Sequence, residues 1–357
     1  KELFPEGDTE KEPAVSDKGS KRWILNTVGF CLMNLGRLRE AAPFYRRKNE
    51  IALSMDDWHN ASVGYQNLAE LHIHLGELGA AAEAAGQALA LAQRAENKRY
   101  ECHSLKWQAW AAHLRGDTDF AQETFLSAEQ LNREVYPNQV QFLHSLMGIG
   151  HADHLRRTNQ LDYARRVTEA NLAICERNRF AYTPGMCHRV LGDLDADAGD
   201  HESAHDHYDT AVSRARGESH RPALIEALLG RGRWAAKYIA QTSEVFAKHS
   251  EPRRGAETSE VSRAFNDLNE ALGYATSGGY RRYEADIRVA LAWAHRAAAL
   301  TPSPFAKHTR RGAPKGRGES HAKARAEARR ALGMSREMGY HWGQVDAEEV
   351  LGELGKE

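Results

Sequence analysis

A small residue recurs along this chain at a nearly constant interval, and this period restricts the fold more than any other feature. Seven alanines follow one another at intervals of 40, 40, 43, 40, 60 and 60 residues: Ala41, Ala81, Ala121, Ala164, Ala204, Ala264 and Ala324. A second series of small residues precedes them, at Gly29, Ala69, Ala109, Ala152, Gly192, Gly232 and Ala292. In the first five pairs the two series are 12 residues apart. A fixed period near 40 residues is typical of a chain that stacks one supersecondary unit many times.

Each period contains two predicted helices. In the second period, apolar residues recur at helical spacing from Ala61 to Leu75, and an alanine-rich segment follows from Gly79 to Arg94. The residue between the two helices is one that tolerates the left-handed conformation, at Gly36, Gly76, Gly116, Asn159 and Gly199. Small residues on both helices permit their close approach. The sequence therefore predicts a series of tightly packed helical hairpins.

Length and charge narrow the range of functions. A chain of 357 residues exceeds one ordinary core, whereas a repeat array buries each unit only against its neighbours. The 48 basic and 49 acidic residues nearly cancel, so we expect neither a membrane nor a nucleic-acid partner. The four cysteines form no CxxC pair, which favours reduced thiols, and no secretory signal or apolar stretch of about 18 residues is present. We therefore expect a cytoplasmic protein.

An aromatic residue follows the alanine by four positions at Tyr45, Phe125 and Tyr208. The order of small residue, twelve-residue step, alanine and aromatic residue resembles the tetratricopeptide repeat over about residues 20–357. The period of 40 residues resembles the longer form found in the C-terminal arrays of signalling ATPases of the STAND class. This resemblance implies an all-α fold, a right-handed superhelical solenoid. Its first helices would line a concave groove and its second helices would form the outer surface.

The two series of small residues set the expected boundaries. They predict one array of seven helix-turn-helix repeats at residues 20–57, 58–97, 98–137, 138–180, 181–220, 221–280 and 281–340. A C-terminal capping helix is expected at residues 341–354. Residues 1–19 are polar and are expected to be a linker from a preceding domain. By the resemblance, that domain would be an NTPase or effector domain of the same chain.

The sixth and seventh repeats each carry about twenty extra residues, expected to lie between their two helices. These inserts, at 241–259 and 301–320, share a Phe-Ala-Lys-His segment followed by Arg-Arg-Gly-Ala. The second insert is basic and contains Lys307, Arg310, Arg311, Lys315 and Arg317. Two hypotheses remain open. In the first, the basic residues form a rim that contacts an acidic partner, the rest of a larger protein or nucleic acid. In the second, the inserts are duplicated solvated loops without a binding role.

Ligand binding in such arrays usually uses first-helix side chains next to the small residue. The candidate groove residues at these positions are Asn26, Phe30, Gln66, Glu70, Lys106, Trp110, Asp153, Arg157, Arg189, Asp193, Arg233, Lys237 and Trp293. Aromatic and arginine side chains are the usual anchors of protein interfaces, so Trp110 and Arg189 are the leading candidates. The alternative is that Trp110 and Trp293 fill gaps between neighbouring first helices.

One segment matches a catalytic motif. Residues 201–205 have the HExxH pattern of zinc proteases, in which two histidines on one helix face hold the metal and the glutamate activates water. However, Ala204 is the alanine of the fifth repeat, and no signature of a third ligand follows. We therefore predict no catalytic residue, no cofactor and no enzyme activity. His201, His205 and His207 remain minor candidates for metal binding.

The sequence thus supports three hypotheses of function. The first is a non-catalytic regulatory module, the sensor or autoinhibitory array of a larger signalling protein, with a protein or peptide ligand in the concave groove. The second is a stand-alone scaffolding adaptor. The third is a zinc-dependent hydrolase at residues 201–205. A P-loop pattern is absent from this sequence, so nucleotide binding of that kind would need another part of the protein.

Overall fold

The computed structural model describes residues 3–137, 142–249, 256–300 and 315–356, and every long regular element in these ranges is an α-helix. The chain comprises two compact units, Lys1–Asn178 and Arg179–Glu357. The predicted all-α repeat fold is confirmed. The boundary between the units falls where the sequence predicts the junction between the fourth and fifth repeats.

Unit 1 contains a short 3-10 turn, Pro5–Gly7, followed by four helical hairpins. The hairpins pair α1 (Lys18–Asn34) with α2 (Leu38–Leu53), α3 (Trp58–Leu75) with α4 (Leu78–Arg94), α5 (Lys98–Arg115) with α6 (Thr118–Val135), and α7 (Leu146–Arg157) with α8 (Leu161–Arg177). The first helices of successive hairpins also contact one another. We call the row α1, α3, α5 and α7 the inner row of unit 1.

Unit 2 is built in the same way from three hairpins and a terminal helix. They are α9 (Thr183–Ala198) with α10 (His201–Arg216), α11 (Arg221–His249) with α12 (Ala256–Gly278), α13 (Arg281–Leu300) with α14 (Lys315–Met338), and then α15 (His341–Gly355). The position of α15 agrees with the predicted capping helix. Its packing against α13 makes it the last member of the inner row of unit 2, which consists of α9, α11, α13 and α15.

The small residues pack as the sequence predicts. All seven alanines of the first series are at most 1% exposed. At Gly29, a Cβ atom would lie 3.0 Å from the ring of Tyr45, and at Gly192 it would lie 3.0 Å from the ring of Tyr208. The aromatic residue of the second helix therefore rests directly on the small residue of the first helix. A larger side chain there would force the hairpin apart.

The turns within the hairpins also follow the sequence. Gly76 ends α3 with φ of 76°, and Asn159 takes the equivalent position after α7 with φ of 62°. This left-handed conformation costs little for glycine and is tolerated by asparagine. Several helices then begin at an N-cap carboxylate; Asp57, for example, accepts a hydrogen bond from the backbone N–H of Asn60 at 3.1 Å.

The N-terminal segment differs from the predicted linker. Phe4 is 4% exposed and makes an edge-to-face contact with Phe44 of α2, with ring centroids 6.1 Å apart. Arg47 donates hydrogen bonds to the backbone carbonyls of Thr9 at 2.8 Å and Lys11 at 2.5 Å. The described part of residues 1–19 is therefore packed against the first hairpin. One aromatic residue in a polar stretch was too small a signal to predict this.

The extra residues of the sixth repeat also differ from expectation. Instead of one long loop between two helices of ordinary length, they extend the helices themselves: α11 has 29 residues and α12 has 23, against 16 in each of α9 and α10. In the seventh repeat, α14 begins at Lys315 within the predicted insert. Lys307, Arg310 and Arg311 lie outside the described residues, as do the side chains of Lys315 and Arg317.

The handedness of the array and a groove shared by all seven repeats stay predictions. Among the described helices, none combines the length and apolarity that crossing a lipid bilayer requires.

Candidate ligand-binding site

The thirteen predicted groove residues all lie on the inner rows, eight in unit 1 and five in unit 2. Their surroundings differ: several are enclosed and hold the fold together, and others keep part of their side chain exposed.

Amide side chains join the inner row of unit 1. Gln66 on α3 is 6% exposed, and its Nε2 donates to Ser104 Oγ at 3.0 Å and to the Tyr100 carbonyl at 3.3 Å on α5. Asn67 donates to Asn26 Oδ1 at 3.1 Å and so joins α3 to α1. Gln66 and Asn26 therefore connect neighbouring repeats, since buried polar groups need such partners.

Glu70 on α3 and Lys106 on α5 influence each other electrostatically; Lys106 is buried and Glu70 is half-buried. Lys106 is 3% exposed, and burial lowers its pKa to about 7, although the nearby carboxyl of Glu70 acts in the opposite direction. Burial likewise raises the pKa of Glu70, against the effect of Lys106. The Lys106 ammonium also lies over the ring of Trp107. A lysine that is enclosed and easily neutralised is poorly suited to attract an anionic ligand.

Trp110 fills the space between two first helices. Its ring stacks on His113 with centroids 5.0 Å apart and packs against the buried cluster around Phe125. A Cβ atom at Gly150 of α7 would lie 3.3 Å from Trp110 Cε3. Of our two interpretations of Trp110, the packing role agrees with this geometry.

The other predicted residues on the inner row of unit 1 are more accessible. Phe30 is 43% exposed, and Asp153 and Arg157 of α7 are half-buried.

In unit 2 the inner row is joined by charges. Asp193 on α9 is 3% exposed and accepts hydrogen bonds from side chains of α9, α10 and α11. They come from Arg189 at 3.0 Å, from the Tyr208 hydroxyl at 2.7 Å, and from Arg233 of α11 at 2.7 Å. Arg189 also reaches Glu226 of α11 at 3.4 Å. These charge-assisted bonds connect α9, α10 and α11, so Arg189 and Asp193 hold the structure together.

The network continues from α11 to α13. Glu226 accepts a hydrogen bond from the Tyr283 hydroxyl, and Arg282 lies 3.8 Å from the same carboxylate. Arg282 also pairs with Asp286 one turn along α13, at 3.3 Å. Burial raises the pKa of Asp286 to about 6, even though Arg282 acts in the opposite direction. This part of the inner row is enclosed as well.

Where α11, α13 and α15 meet, one partly exposed cation, Lys237, lies close to a buried one, Arg296, which is 3% exposed. Lys237 of α11 keeps 34% of its side chain exposed, and its Nζ lies 3.0 Å from Glu349 of α15 and 5.0 Å from the centroid of the Trp293 ring. On α13, the Arg296 guanidinium lies 5.3 Å from that centroid and 3.6 Å from Glu353. We call these five residues the cation–tryptophan cluster. Two cations thus flank one indole ring, and two carboxylates one turn apart on α15 face the cations.

Trp293 itself is 5% exposed, and its Nε1 is buried without a hydrogen-bond acceptor among the described side chains and backbone. Buried donors of this kind are rare in folded proteins. Trp293 therefore fills space, as one of our two interpretations has it, but it also keeps an unused donor next to two cations.

Arg296, Glu349 and Glu353 were missed by the sequence reasoning. The signal that would have found the two glutamates is the register of the repeat. Gly352 occupies the small-residue position of α15, which places Glu349 three residues before it and Glu353 one residue after it. Arg189 and Asp193 hold the same two positions around Gly192.

The histidines of the HExxH segment do not converge on one point. His201 Nδ1 accepts a hydrogen bond from Trp234 Nε1 of α11 at 3.4 Å. His205 Nε2 lies 3.2 Å from the guanidinium of Arg263 on α12, where a cation already takes the place a metal would need. His207 points to another helix, with its Nδ1 3.0 Å from that of His188 on α9.

No group of three histidine, cysteine, aspartate or glutamate side chains within the described ranges could hold a metal ion. A catalytic zinc needs three protein ligands arranged around one point. The hypothesis of a zinc-dependent hydrolase therefore has no geometric support at residues 201–205.

Comparison with known proteins gives similarity at the level of fold. No protein-family model and no curated protein matches the chain. Among solved structures, the human IFIT1 dimer with m7Gppp-AAAA is 14% identical, with a TM-score of 0.50 over 99% of this chain and 67% of that one. Rap protein complexed with Competence and Sporulation Factor is 11% identical, with a TM-score of 0.42 over 94% and 99%. A circular tandem repeat protein is 14% identical, with a TM-score of 0.26 over 95% and 79%.

The IFIT1 similarity agrees with the helical-repeat fold that the tetratricopeptide-like pattern predicts. At 14% identity it shows the fold alone.

Proposed function

We propose that this protein is a non-catalytic binding module whose ligand contacts the inner row of unit 2 at the cation–tryptophan cluster. The observation that carries this proposal is the exposure of Lys237 beside Trp293, at two positions that the repeat register predicts for ligand contact. The neighbouring predicted residues Arg189 and Asp193 are enclosed in structural pairs. Recognition would use side chains, because helices expose no backbone edge.

We further propose that the module is the sensor or autoinhibitory array of a larger cytoplasmic signalling protein. The support is the resemblance of its 40-residue period to the arrays of STAND-class ATPases. In that arrangement an NTPase or effector domain precedes the array, and the ligand stabilises one of two states because it binds that state more tightly. A reading frame that encodes a P-loop directly upstream would favour this role, and its absence would favour a scaffolding adaptor.

We propose a protein or peptide as the ligand class. The expectation of no nucleic-acid partner was too strong, because the IFIT1 structure of similar fold holds m7Gppp-AAAA. A near-zero net charge does not exclude nucleic acid for a helical-repeat fold. The capture experiment below therefore includes a nuclease arm.

The proposal is tested by affinity capture with the whole chain as bait. The test variant is Lys237→Ala, and the matched control is Lys323→Ala on α14, whose exposed side chain pairs with Glu319 outside the inner row. We expect the captured ligand to be lost with Lys237→Ala, kept with Lys323→Ala and unaffected by nuclease. Equal capture by both variants would contradict the proposed site.

The basic segment of the second insert remains a separate proposal as a rim contact for an acidic partner. Arg310→Ala and Arg311→Ala in the same capture experiment test it. Retention of every captured protein by that double variant would favour the solvated-loop hypothesis.

A further inference from the structure

We infer that a cavity between α4, α5 and α6 binds an α-amino acid with an aromatic side chain. This inference goes beyond the proposed function, since the cavity lies within unit 1 and its lining differs from the predicted groove residues. Its volume is about 350 Å³, at the lower end of the range of about 300–1,000 Å³ that small-molecule sites have. The lining residues are Ala82 of α4, Gln108, Ala112 and Arg115 of α5, Asp117 of the following turn and Phe120 of α6.

The cavity arises because two alanines stand where the next repeat has larger residues. Gln122 holds the register position of Ala82, and Leu155 holds that of Ala112. In the next repeat, the Gln122 Oε1 accepts a hydrogen bond from Gln160 at 2.8 Å, and Leu155 is fully buried. The space that these side chains fill between α6, α7 and α8 is left open between α4, α5 and α6, where a ligand can enter it.

The walls of the cavity offer an apolar surface to the ligand. The Phe120 side chain is 48% exposed, whereas its counterpart in the next repeat, Tyr163, donates a hydrogen bond from its hydroxyl to Glu129 at 2.5 Å. The methyl groups of Ala82 and Ala112 form the rest of this surface. An exposed ring beside methyl groups suits an aromatic ligand, because aromatic rings pair favourably in offset-stacked or edge-to-face arrangements.

One amide group lines the same cavity. Gln108 is half-buried, and a Cβ atom at Gly86 would lie 3.7 Å from its Nε2, so the amide lies against α4. Within the described ranges, no other residue forms a hydrogen bond with this amide. Because polar groups removed from water need hydrogen-bond partners, a ligand ring that carries an N–H or a hydroxyl group complements Gln108.

Two charged residues set the polar end of the ligand. Arg115 and Asp117 are both exposed, and among the residues that the structure describes Arg115 has no ion-pair partner. Asp117 Oδ1 caps α6 and accepts a hydrogen bond from the backbone N–H of Phe120 at 3.4 Å. An α-amino acid carries a carboxylate for Arg115 and an ammonium for Asp117 on the same carbon atom. A carboxylic acid alone would be repelled by Asp117, and an amine alone would be repelled by Arg115.

Isothermal titration of the whole chain with L-tryptophan tests the inference, and the first comparison fills the cavity. Ala82→Gln introduces the side chain that the next repeat holds at this position, so we expect the binding of L-tryptophan to be lost. Ala90→Gln is the matched control, because Ala90 is an exposed alanine of the same helix outside the cavity lining. Thermal unfolding verifies that both variants are folded.

The two charges are tested with derivatives of the ligand. Arg115→Ala should weaken binding of L-tryptophan by about fivefold, the effect of one exposed ion pair, and leave L-tryptophanamide unchanged because that ligand has no carboxylate. Arg39→Ala, which removes an exposed arginine of α2, should change neither affinity. Asp117→Asn keeps an N-cap side chain but removes its charge, so it should weaken L-tryptophan by about fivefold without weakening N-acetyl-L-tryptophan.

The same titrations separate the classes of ligand. We expect L-alanine and both derivatives to bind more weakly than L-tryptophan, since each lacks the ring or one of the two charges. Binding of N-acetyl-L-tryptophan as tight as that of L-tryptophan would overturn the inference in favour of the carboxyl terminus of a peptide. Equally tight binding of L-tryptophanamide would overturn it in favour of an amino terminus. No binding of L-tryptophan, or binding that persists in Ala82→Gln, would also overturn it.

Discussion

The inner rows of the two units are built on the same register but use different chemistry. In unit 1, the register positions hold Gln66, which bonds to the next helix, and Lys106, which burial brings close to neutrality. In unit 2, the position of Gln66 and Lys106 is held by Arg189, which pairs with Asp193 in a network of buried charges. Lys237 lies elsewhere on the same inner row with 34% of its side chain exposed. A repeat therefore fixes where a side chain lies, and the residue type decides whether it joins helices or meets a ligand.

The largest expected change in stability follows from the removal of a buried charge. Asp193→Ala should lower the free energy of unfolding by about 3–5 kcal/mol, because Arg189 and Arg233 would lose a buried carboxylate partner. Chemical denaturation measures the change. Glu270→Ala is the control, since it removes an exposed pair with Arg216 and should cost less than about 1 kcal/mol. Similar losses for both variants would remove the distinction between enclosed and exposed pairs.

Glu70 and Lys106 of unit 1 should behave in the opposite way. In Glu70→Gln/Lys106→Met both ionisable groups are replaced, and we expect stability to be unchanged or to rise by up to about 4 kcal/mol, since desolvation disfavours the pair. A loss of more than about 2 kcal/mol in chemical denaturation would show that this pair stabilises unit 1 as Asp193 stabilises unit 2.

The pH dependence offers an independent test of that pair. The pKa of Lys106 falls from 10.5 to about 7 on folding. Between these values the unfolded chain holds a proton that the folded chain lacks, so the free energy of unfolding should rise with pH in this window. The rise should be smaller in the double variant. It should not disappear, because burial also lowers the pKa of Lys48 to about 7. Identical slopes would contradict the burial of Lys106.

In unit 2, the pH range in which a buried group changes the stability is acidic. The pKa of Asp286 is raised from 3.8 to about 6, so the folded chain holds the extra proton and this carboxyl's contribution to stability is lost as pH rises through 6. Asp286→Asn mimics the protonated carboxyl. It should therefore stabilise the protein on the order of 1–3 kcal/mol at pH 7 and have little effect at pH 4. Thermal unfolding at both pH values checks this, and destabilisation at pH 7 would show that the pairing with Arg282 outweighs burial.

The smallest expected changes in stability follow from substitution of the two tryptophans. Trp293→Phe loses packing area but also removes a buried donor without an acceptor, so its net effect should be within about 0.5 kcal/mol. Trp110→Phe loses part of the stacking on His113 without such compensation and should cost about 1 kcal/mol. Chemical denaturation of both variants measures the difference, and a larger loss at Trp293 would reverse this comparison.

Much of the fold could be predicted because close helix packing demands small residues at fixed positions. Ala41 and Gly76 are examples: one must be small for the helices to meet, and the other must adopt positive φ to end a helix. Phe4 could not be predicted in the same way, because nothing periodic distinguishes one buried aromatic residue in a polar segment. The helical extensions of the sixth repeat were missed for the same reason, since they carry no copy of the alanine pattern.

The candidate site could be predicted only in part. Asp193 and Arg233 are 40 residues apart, so opposite charges separated by one period would have indicated their contact. Lys237 and Glu349 are 112 residues apart across two inserts, and no sequence interval connects them. The sequence also did not predict burial: Lys106 and Lys237 are both predicted groove residues, yet Lys106 is enclosed and Lys237 keeps 34% of its side chain exposed.

The central claim is that the ligand meets unit 2 at Lys237 and does not depend on the inner row of unit 1. Isothermal titration of the captured and identified ligand against Lys237→Ala and Phe30→Ala tests it most directly, because both side chains are at least one-third exposed at predicted groove positions. We predict at least a tenfold loss of affinity for Lys237→Ala and less than a twofold change for Phe30→Ala. A large loss for Phe30→Ala with none for Lys237→Ala would contradict it.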